Sequence, residues 1–148
     1  MITYQRENWD DVLDELKEIL PTHYDELTVS KNFPLDPDWT RYDRLNKANM
    51  LCFYSVRDDK KLIGYTIMLI GPGLHYQSCM TAHEDIYYVL KDYRKGRIGL
   101  KMFQFVEKEL KAQGVDRIVM GTKVYSDNSK LFEYLGYRLF EKLYDKEL

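Results

Sequence analysis

The sequence predicts an α+β domain, a three-layer α/β arrangement in which a mixed central sheet of six to seven strands carries helices on both faces. Three observations favour this fold class. An amphipathic helix follows a short N-terminal strand, and a β-rich hairpin occupies the middle of the chain. A strand, a basic turn containing glycines and another helix then follow in direct succession.

Composition is typical of one globular domain spanning residues 1–148. Hydrophobic residues make up 45% of the chain and the net charge is −2, which argues against a disordered tail and gives no overall attraction to nucleic acid or membrane. Cys52 and Cys79 form neither a metal-ligand spacing nor a disulfide framework, so we expect no metal site and a reducing cytoplasm. We also expect no membrane span and no signal peptide.

The N-terminal region is predicted to form a strand and an amphipathic helix. Ile2–Tyr4 is the short strand, and Asn8 is the expected N-cap of the helix. Apolar residues then repeat at helical spacing until Pro21, where we expect the helix to stop. His23–Leu27 is left open between loop and the start of a second, shorter helix.

The next region is predicted to contain a loop, a helix and an antiparallel hairpin. Two prolines make Asn32–Pro37 a loop. Asp36 as N-cap and Pro37 at the first helical position predict a helix after it. Residues 50–57 and 62–70 are β-rich and are joined by a charged turn, which predicts the hairpin.

The central stretch is predicted to form a strand, Ile86–Leu90, a polar turn and a helix that opens near Ile98 and stops at Gly114. The first amides of a helix lack intrahelical partners, and the helix dipole places partial positive charge there. Glycines let the backbone approach a ligand closely, so the turn and helix start predict an anion site. Side-chain charge suited to phosphate comes from Arg94, Lys95 and Arg97.

The C-terminal region is predicted to hold a strand, a short helix and a last strand. The strand begins at 115–120 and extends toward Val124, and 126–128 supplies N-cap candidates for a helix through Tyr134. Gly136 is expected to end that helix. The final strand region begins at Tyr137, with a bulge or bend near its middle.

Three segments carry a resemblance to a known family. Tyr93–Gly99 (YRKGRIG), after a Tyr-Tyr-Val strand, resembles the acetyl-CoA pyrophosphate loop of the GNAT-type N-acetyltransferases, Arg/Gln-x-x-Gly-x-Gly/Ala. Phe132–Tyr137 (FEYLGY) and the ending Tyr144–Leu148 resemble the closing helix, glycine-aromatic turn and last strand of that family. Arg97 stands where the family has its first glycine, with Gly96 one place early. The loop-rich form also resembles acetyltransferase-like proteins of bacteriophages.

The resemblance implies a GNAT-like acyl-CoA N-acyltransferase fold and an acetyl-CoA site. In the family, the central strand splays from the fifth strand at a bulge, pantetheine pairs with the central strand in that opening, and loop amides hold the pyrophosphate. At Arg97 two outcomes stay open, a side-chain contact with the cofactor or a Cβ that blocks close approach. The residues expected to bind the cofactor are Val89, Leu90, Arg94, Lys95, Gly96, Arg97, Ile98, Gly99 and Asn128.

The resemblance places the catalytic base near the start of the central strand, where His83 and Asp85 occupy the matching positions. Histidine accepts protons near neutral pH, whereas an aspartate helps through burial or a water relay. Strict alternation puts His83, Asp85, Tyr87 and Val89 on one strand face, opposite Glu84. Glu84 therefore requires a strand bulge to turn it inward, and a solvated strand entrance is the alternative for all three polar residues.

The family's tyrosine near the leaving thiolate is replaced by Phe132, which cannot donate a proton. Three hydrogen-bond donors to the sulfur stay open in its place, Ser126, Ser129 and water, with a helix cap or surface position as the alternative role of each serine. Ser129 shares a helix face with Phe132. The resemblance also places Tyr24, Trp39 and Tyr42 on the acceptor wall, with core packing as the alternative.

The sequence therefore predicts an acetyl-CoA-dependent N-acetyltransferase in which an amine attacks directly in a ternary complex. The expected acceptor is a small-molecule amine, a protein amine or a modified nucleobase, in the cytoplasm or, for a phage-encoded protein, the host cytoplasm. Two alternatives stay open, a catalytically silent acyl-CoA-binding regulatory module and a nucleic-acid or protein interaction domain. A homodimer is compatible with all three.

Overall fold

The computed structural model describes residues 1–30 and 32–148, and within them five strands form one sheet in the order β1-β2-β3-β4-β5. The first three pairings are antiparallel and β4 pairs with β5 in parallel, so the sheet is mixed, as predicted. The strands are β1 (Ile2–Glu7), β2 (Leu51–Asp58), β3 (Lys61–Pro72), β4 (Met80–Val89) and β5 (Arg117–Val119). The helices are α1 (Trp9–Leu27), α2 (Trp39–Lys47), α3 (Ile98–Ala112) and α4 (Ser129–Tyr134), with a 3-10 turn at Lys91–Tyr93.

The predicted three layers are confirmed, because each face of the sheet is covered by its own helices. On one face, Trp9 and Leu16 of α1 pack with Phe53 and Tyr65 of the sheet, and α2 lies beside them. On the other face, α3 and α4 cover the side chains of the same strands that point the opposite way. No helix in the described part of the chain has the length and hydropathy of a membrane span.

The prediction that Pro21 ends the first helix was wrong, since α1 continues to Leu27. A proline inside a helix removes one backbone hydrogen bond, but tertiary contacts hold the turn that follows it. The Nδ1 atom of His23 lies 2.7 Å from the hydroxyl oxygen of Tyr65, and Leu27 packs against the core of this face. The segment left open by the sequence, His23–Leu27, is therefore the end of α1.

The start of α2 also differs from the prediction. Its N-cap is Asp38, whose carboxylate accepts a hydrogen bond of 2.9 Å from the backbone N–H of Arg41. Asp36 and Pro37, predicted as N-cap and first helical residue, lie before the helix. The two prolines restrict the residues before them to extended conformations, so the helix starts only after the loop. Asp38 then caps it, because its side chain reaches the backbone N–H of Arg41 three residues later.

The hairpin, the central strand and α3 are confirmed. β2 and β3 pair through a tight turn in which Asp59 has a φ of 51°, and β4 extends further toward its N-terminus than predicted. α3 begins at Ile98 and is followed by Gly114 with a φ of 83°, the left-handed conformation expected after a helix end.

The prediction of six to seven strands was wrong, because the sheet has five strands within the described residues. β5 is three residues long, and residues 137–148 take no strand conformation. This tail is held by side chains instead: the Arg117 guanidinium lies 4.8 Å from the Phe140 ring centre, and Glu147 accepts hydrogen bonds from Ser30 and Asn32. Because β5 is so short, it offers few backbone groups for another strand to pair with.

An ion-pair cluster joins β1, α1 and β2. The Nε atom of Arg57 lies 2.7 Å from Oε1 of Glu7, and one of its terminal nitrogens lies 2.7 Å from Oε1 of Glu15. Arg57 and Glu7 are 11% and 15% exposed, so both charges are largely removed from water. Burial alone would raise the pKa of Glu7, but hydrogen bonds from Arg57 and Ser55 outweigh it and hold the pKa below its ordinary value.

We expect Arg57→Met to lower the free energy of unfolding by about 2–3 kcal/mol at pH 7, because it leaves Glu7 partly buried without its partner. Adding Glu7→Gln should restore part of that loss. Since the folded-state pKa of Glu7 is depressed, the wild type should lose this stabilisation as the pH falls below the ordinary value of 4.5. Urea unfolding at several pH values checks this, and a double variant no more stable than Arg57→Met would contradict it.

Candidate functional site

A bulge in β4 separates this strand from β5. β4 pairs with β5 only over Thr81–His83. Just beyond, the register with β3 shifts: Ile67 lies opposite Ile86 but Met68 lies opposite Glu84, which leaves Asp85 as an extra residue in β4. A bulge bends a strand and increases its twist, so the second half of β4 diverges from β5 and has one open edge.

The open edge of β4 presents backbone groups of Tyr87 and Val89. The N–H of Leu90 donates to Ile63 of β3 over 2.8 Å, so alternation along the antiparallel pair turns the N–H and C=O groups of Tyr87 and Val89 away from β3. The C=O of Leu90 accepts from the N–H of Tyr93 over 2.9 Å. Both backbone groups of Leu90 are thus bonded within the protein, whereas the N–H of Val89, its neighbour in the predicted binding set, faces the open edge.

A cavity of about 250 Å³ joins this edge to the N-terminus of α3. It is bounded by the end of α1, the second half of β4, the basic loop, the first turns of α3 and the start of α4. The lining residues are Leu27, Tyr87, Tyr88, Val89, Arg94, Gly96, Gly99, Leu100, Met102, Phe103, Ser126, Asn128 and Leu131. The structure therefore brings together Val89, Arg94, Gly96, Gly99 and Asn128 of the predicted binding set.

The loop before α3 explains how Arg97 stands in the place of a glycine. Arg97 is the N-cap residue, with a φ of −110°, which any side chain tolerates. The left-handed conformation falls instead on Gly96, with a φ of 99°. No atom lies within 4 Å of a Cβ built at Gly99, so the backbone of the first helical turn is open to a ligand. Lys95 and Arg97 are exposed outside the cavity lining, and Ile98 packs into the core.

The same bulge changes which side chains of β4 share a face. Asp85 accepts a hydrogen bond from the hydroxyl of Tyr42 on α2, so it points to the α1–α2 face. Tyr87 packs edge-on against Phe103 of α3, with ring centres 5.3 Å apart, on the opposite face. The predicted shared face of His83, Asp85, Tyr87 and Val89 was therefore wrong, because strict alternation fails across an extra residue.

Glu84 lies where β4 and β5 part. Its Oε1 atom is 2.9 Å from the position that a Cβ on Gly121 would occupy, and its carboxylate accepts a hydrogen bond from the Gly121 backbone N–H. Burial raises the pKa of Glu84 to about 7, and the nearby negative charge of Asp85 acts in the same direction. A carboxyl group at this position can take up or release a proton at neutral pH.

His83 and Asp85, the other two polar residues near the start of β4, differ from Glu84 in exposure and in hydrogen-bond partners. His83 is exposed, at the last position that pairs with β5. Asp85 is half-buried and bonded to Tyr42, and this contact raises the pKa of the Tyr42 hydroxyl together with burial, which is the larger cause. Tyr42 therefore stays protonated as a hydrogen-bond donor, and its bond to Asp85 joins α2 to this end of β4.

A tyrosine hydroxyl is supplied by β4 rather than by α4. Phe132 is buried, 7% exposed, and packs edge-on against the Tyr87 ring. The Tyr87 hydroxyl donates to the C=O of Gly121 over 3.0 Å and accepts from Nδ2 of Asn128 over 3.2 Å. Ser126 lines the cavity with Asn128, whereas the hydroxyl of Ser129 donates to Asp127 and lies outside the lining.

Sequence reasoning missed Tyr87 and Leu27 as parts of this site, and it considered Glu84 only on the condition that a bulge turns it inward. A charged residue inside a strand of β-branched and aromatic residues is a signal for Glu84, but only the bulge decides its direction. Leu27 reaches the cavity because α1 continues beyond Pro21. Among residues 1–30 and 32–148, no three His, Cys, Asp or Glu side chains are grouped as metal ligands.

Comparisons with known proteins agree with this geometry. The family model described as the acetyltransferase (GNAT) family matches residues 9–137. A search of curated proteins found no match. A Clostridium acetobutylicum structure with acetyl-CoA, described as a predicted acetyltransferase, superposes with a TM-score of 0.78 at 14% identity, over 99% of this chain and 96% of its own.

Two further solved structures share the fold. A ribosomal-protein-alanine N-acetyltransferase from Brucella melitensis gives a TM-score of 0.74 at 17% identity, over 100% of this chain and 99% of its own. Glucosamine-6-phosphate N-acetyltransferase from Arabidopsis thaliana gives 0.73 at 15% identity, over 99% of this chain and 98% of its own. At sequence identities this low, the structural similarity shows a common fold and no more.

We expect Glu84→Gln to raise the free energy of unfolding by about 2 kcal/mol at pH 8 and to change it little at pH 4. Because the pKa of Glu84 rises from 4.5 to about 7 on folding, the folded state binds more protons than the unfolded state between these values. Wild-type stability should therefore fall as the pH rises through this window, and the variant should lose that slope.

Chemical denaturation across this pH range measures the slope, with Glu133→Gln, at an exposed residue of α4, as the matched control. Equal pH slopes for Glu84→Gln, Glu133→Gln and the wild type would contradict the assignment.

Proposed function

Because the chain belongs to the acetyltransferase (GNAT) family, we propose that it is an acetyl-CoA-dependent N-acetyltransferase in which an amine attacks the thioester directly in a ternary complex. The observation that carries this proposal is the cavity that joins the open edge of β4 to the N-terminus of α3. It places a strand edge that pairs with no neighbouring strand and an anion-binding helix end along one continuous wall. An extended ligand with a diphosphate at one end requires such a wall.

The residues present fit coenzyme A. The first amides of α3 point toward a loop with a left-handed Gly96, and Gly99 leaves their approach open. These amides suit the diphosphate, with positive charge from Lys95 and Arg97 close by. The N–H and C=O groups of Val89 suit the amides of pantetheine, in the manner of an added strand.

Acetyl-CoA supplies an acetyl thioester: transfer to an amine forms a C–N bond, breaks the C–S bond and releases one proton from the amine nitrogen. The chain must therefore provide a proton acceptor beside the acyl end of the cavity. Glu84 is our choice, because its pKa of about 7 leaves a large ionised fraction at neutral pH and keeps it basic enough to accept the proton. His83 and Asp85 remain the alternatives: His83 is exposed, and Asp85 already accepts a hydrogen bond from Tyr42.

The departing thiolate needs hydrogen-bond donors, and the cavity has three of them. These are the Ser126 hydroxyl and, once they exchange their present bonds to Gly121, Tyr87 and Ser126 for the thiolate, the Tyr87 hydroxyl and the Asn128 amide. Burial raises the pKa of Tyr87, which keeps its hydroxyl protonated at neutral pH. This arrangement supports catalysis without a tyrosine at position 132, and Ser129 is the less favourable candidate because its hydroxyl is bonded to Asp127.

We propose an amine as acceptor, either a small molecule or a protein amine, entering from the α1–α2 side of β4. On that side Tyr42 and Asp85 form a polar wall next to Glu84. The structural relatives include a glucosamine-6-phosphate and a ribosomal-protein-alanine N-acetyltransferase, so the fold accommodates both kinds of acceptor.

Gly99→Glu is expected to abolish acetyl-CoA binding, because it places bulk and negative charge at the N-terminus of α3. Gln104→Glu, an equal charge change at an exposed residue of the same helix, should bind normally. Gly99→Ala should keep the fold, because no protein atom lies within 4 Å of its Cβ, and should weaken binding less than Gly99→Glu because it adds no charge. Isothermal titration calorimetry measures this. Unchanged affinity in Gly99→Glu would remove the basis of the proposed function.

Glu84→Gln is expected to lower kcat by about 10²-fold or more while leaving acetyl-CoA affinity within about twofold, and to remove the rise of rate with pH near 7. His83→Ala and Asp85→Asn are the companion variants, measured by steady-state kinetics on a panel of amines. Loss of turnover in His83→Ala or Asp85→Asn with a normal Glu84→Gln enzyme would assign the base to those residues. Acetyl-CoA binding with no turnover on any amine would favour a silent binding module.

A further inference from the structure

The Arg94 side chain is folded back across the end of β4. Its Nε donates to the C=O of Val89 over 2.8 Å, and its guanidinium lies over the Tyr88 ring, 5.2 Å from the ring centre. A terminal nitrogen forms an ion pair with Glu26. The arginine at the start of the basic loop therefore has three partners within the protein, and one of them is a backbone carbonyl on the open edge of β4.

Glu26 is fixed by its position in the last turn of α1. Its second carboxylate oxygen accepts a hydrogen bond of 2.7 Å from the Tyr88 hydroxyl. The C=O of the next residue, Leu27, accepts a hydrogen bond of 2.6 Å from Tyr125 in the segment before α4. The end of α1 is thus held on both sides of the cavity, by β4 through Glu26 and by the segment before α4 through Leu27.

These contacts join two groups that have the same proposed ligand. Arg94 is suited to the diphosphate and the Val89 carbonyl to pantetheine, yet in the structure each is the other's hydrogen-bond partner. Glu26 stabilises that arrangement because it neutralises the guanidinium on the side away from the carbonyl. One rotation of the Arg94 side chain would release both groups.

We propose that Glu26 is a positioning residue that sets acetyl-CoA affinity by competing with the coenzyme A diphosphate for Arg94. The inference rests on the proposed function and extends it to α1, which contributes no residue to the phosphate loop. Release of Arg94 frees the Val89 carbonyl in the same movement, so phosphate contact and pantetheine contact are coupled.

The ion pair between Arg94 and Glu26 is weak enough for a diphosphate to displace it. Arg94 and Glu26 are 37% and 28% exposed, and a part-exposed ion pair contributes little because water screens it. A diphosphate carries more charge than one carboxylate and also gains the helix amides, so it can displace Glu26. Removing the carboxylate charge should therefore strengthen diphosphate binding, since Arg94 then has no anionic competitor.

The test compares Glu26→Gln with the wild type by calorimetry, using acetyl-CoA and acetyl-pantetheine, which lacks the diphosphate. Glu26→Gln should bind acetyl-CoA about threefold or more tightly, with a smaller gain for acetyl-pantetheine, which profits only from the freed Val89 carbonyl. In an Arg94→Ala background the effect of Glu26→Gln should vanish. Glu18→Gln, an equal charge change at an exposed position of α1, is the matched control and should bind as the wild type does.

Four outcomes would overturn the proposed role of Glu26. A Glu26→Gln effect of the same size on both ligands, or one that persists without Arg94, would assign Glu26 a purely structural role and overturn the proposal, as would weaker or unchanged acetyl-CoA binding. A wild type that binds no acetyl-CoA overturns the proposed function and this inference together. Wild-type binding with no Glu26 effect overturns this inference alone.

Discussion

The separation of β4 from β5 after three residue pairs governs the rest of the site. A sheet edge that loses its neighbour exposes backbone donors and acceptors, which are costly to leave unpaired in a protein interior. Here they line a cavity that continues to the N-terminus of α3, a second set of unpaired amides. Two unpaired backbone surfaces that meet in one cleft favour a long ligand with amide groups and an anionic end.

The bulge at Asp85 both opens the strand edge and distributes the side chains. It turns Asp85 to the α1–α2 face and Tyr87 to the α3 face, and it leaves Glu84 at the fork where water is partly excluded. Burial at the fork raises the pKa of Glu84 toward neutrality, so the geometry that opens the cofactor cleft also tunes the proposed base. The bulge therefore accounts both for the open edge of β4 and for the raised pKa of Glu84.

Local signals in the sequence were enough for much of the fold and part of the site. The hairpin, α3 with its glycine end, and the basic loop with Gly96 and Gly99 follow from short-range patterns. The sequence could not reveal that packing carries α1 through Pro21. The family resemblance implied a bulge in the central strand, but not that Asp85 is the extra residue, because its position depends on pairing with a distant strand. For the same reason Glu26 went unnoticed, since its partner Arg94 is far away in the chain.

The central claim is that acetyl-CoA binds along the open edge of β4. Backbone amide hydrogen exchange, followed by NMR with and without acetyl-CoA, tests it most directly. We expect increased protection at the amides of Val89 and Gly99. The amide of Leu90 should change little, because it already donates to Ile63. Protection confined to other surfaces, with Val89 and Gly99 unchanged when acetyl-CoA is bound, would contradict the account.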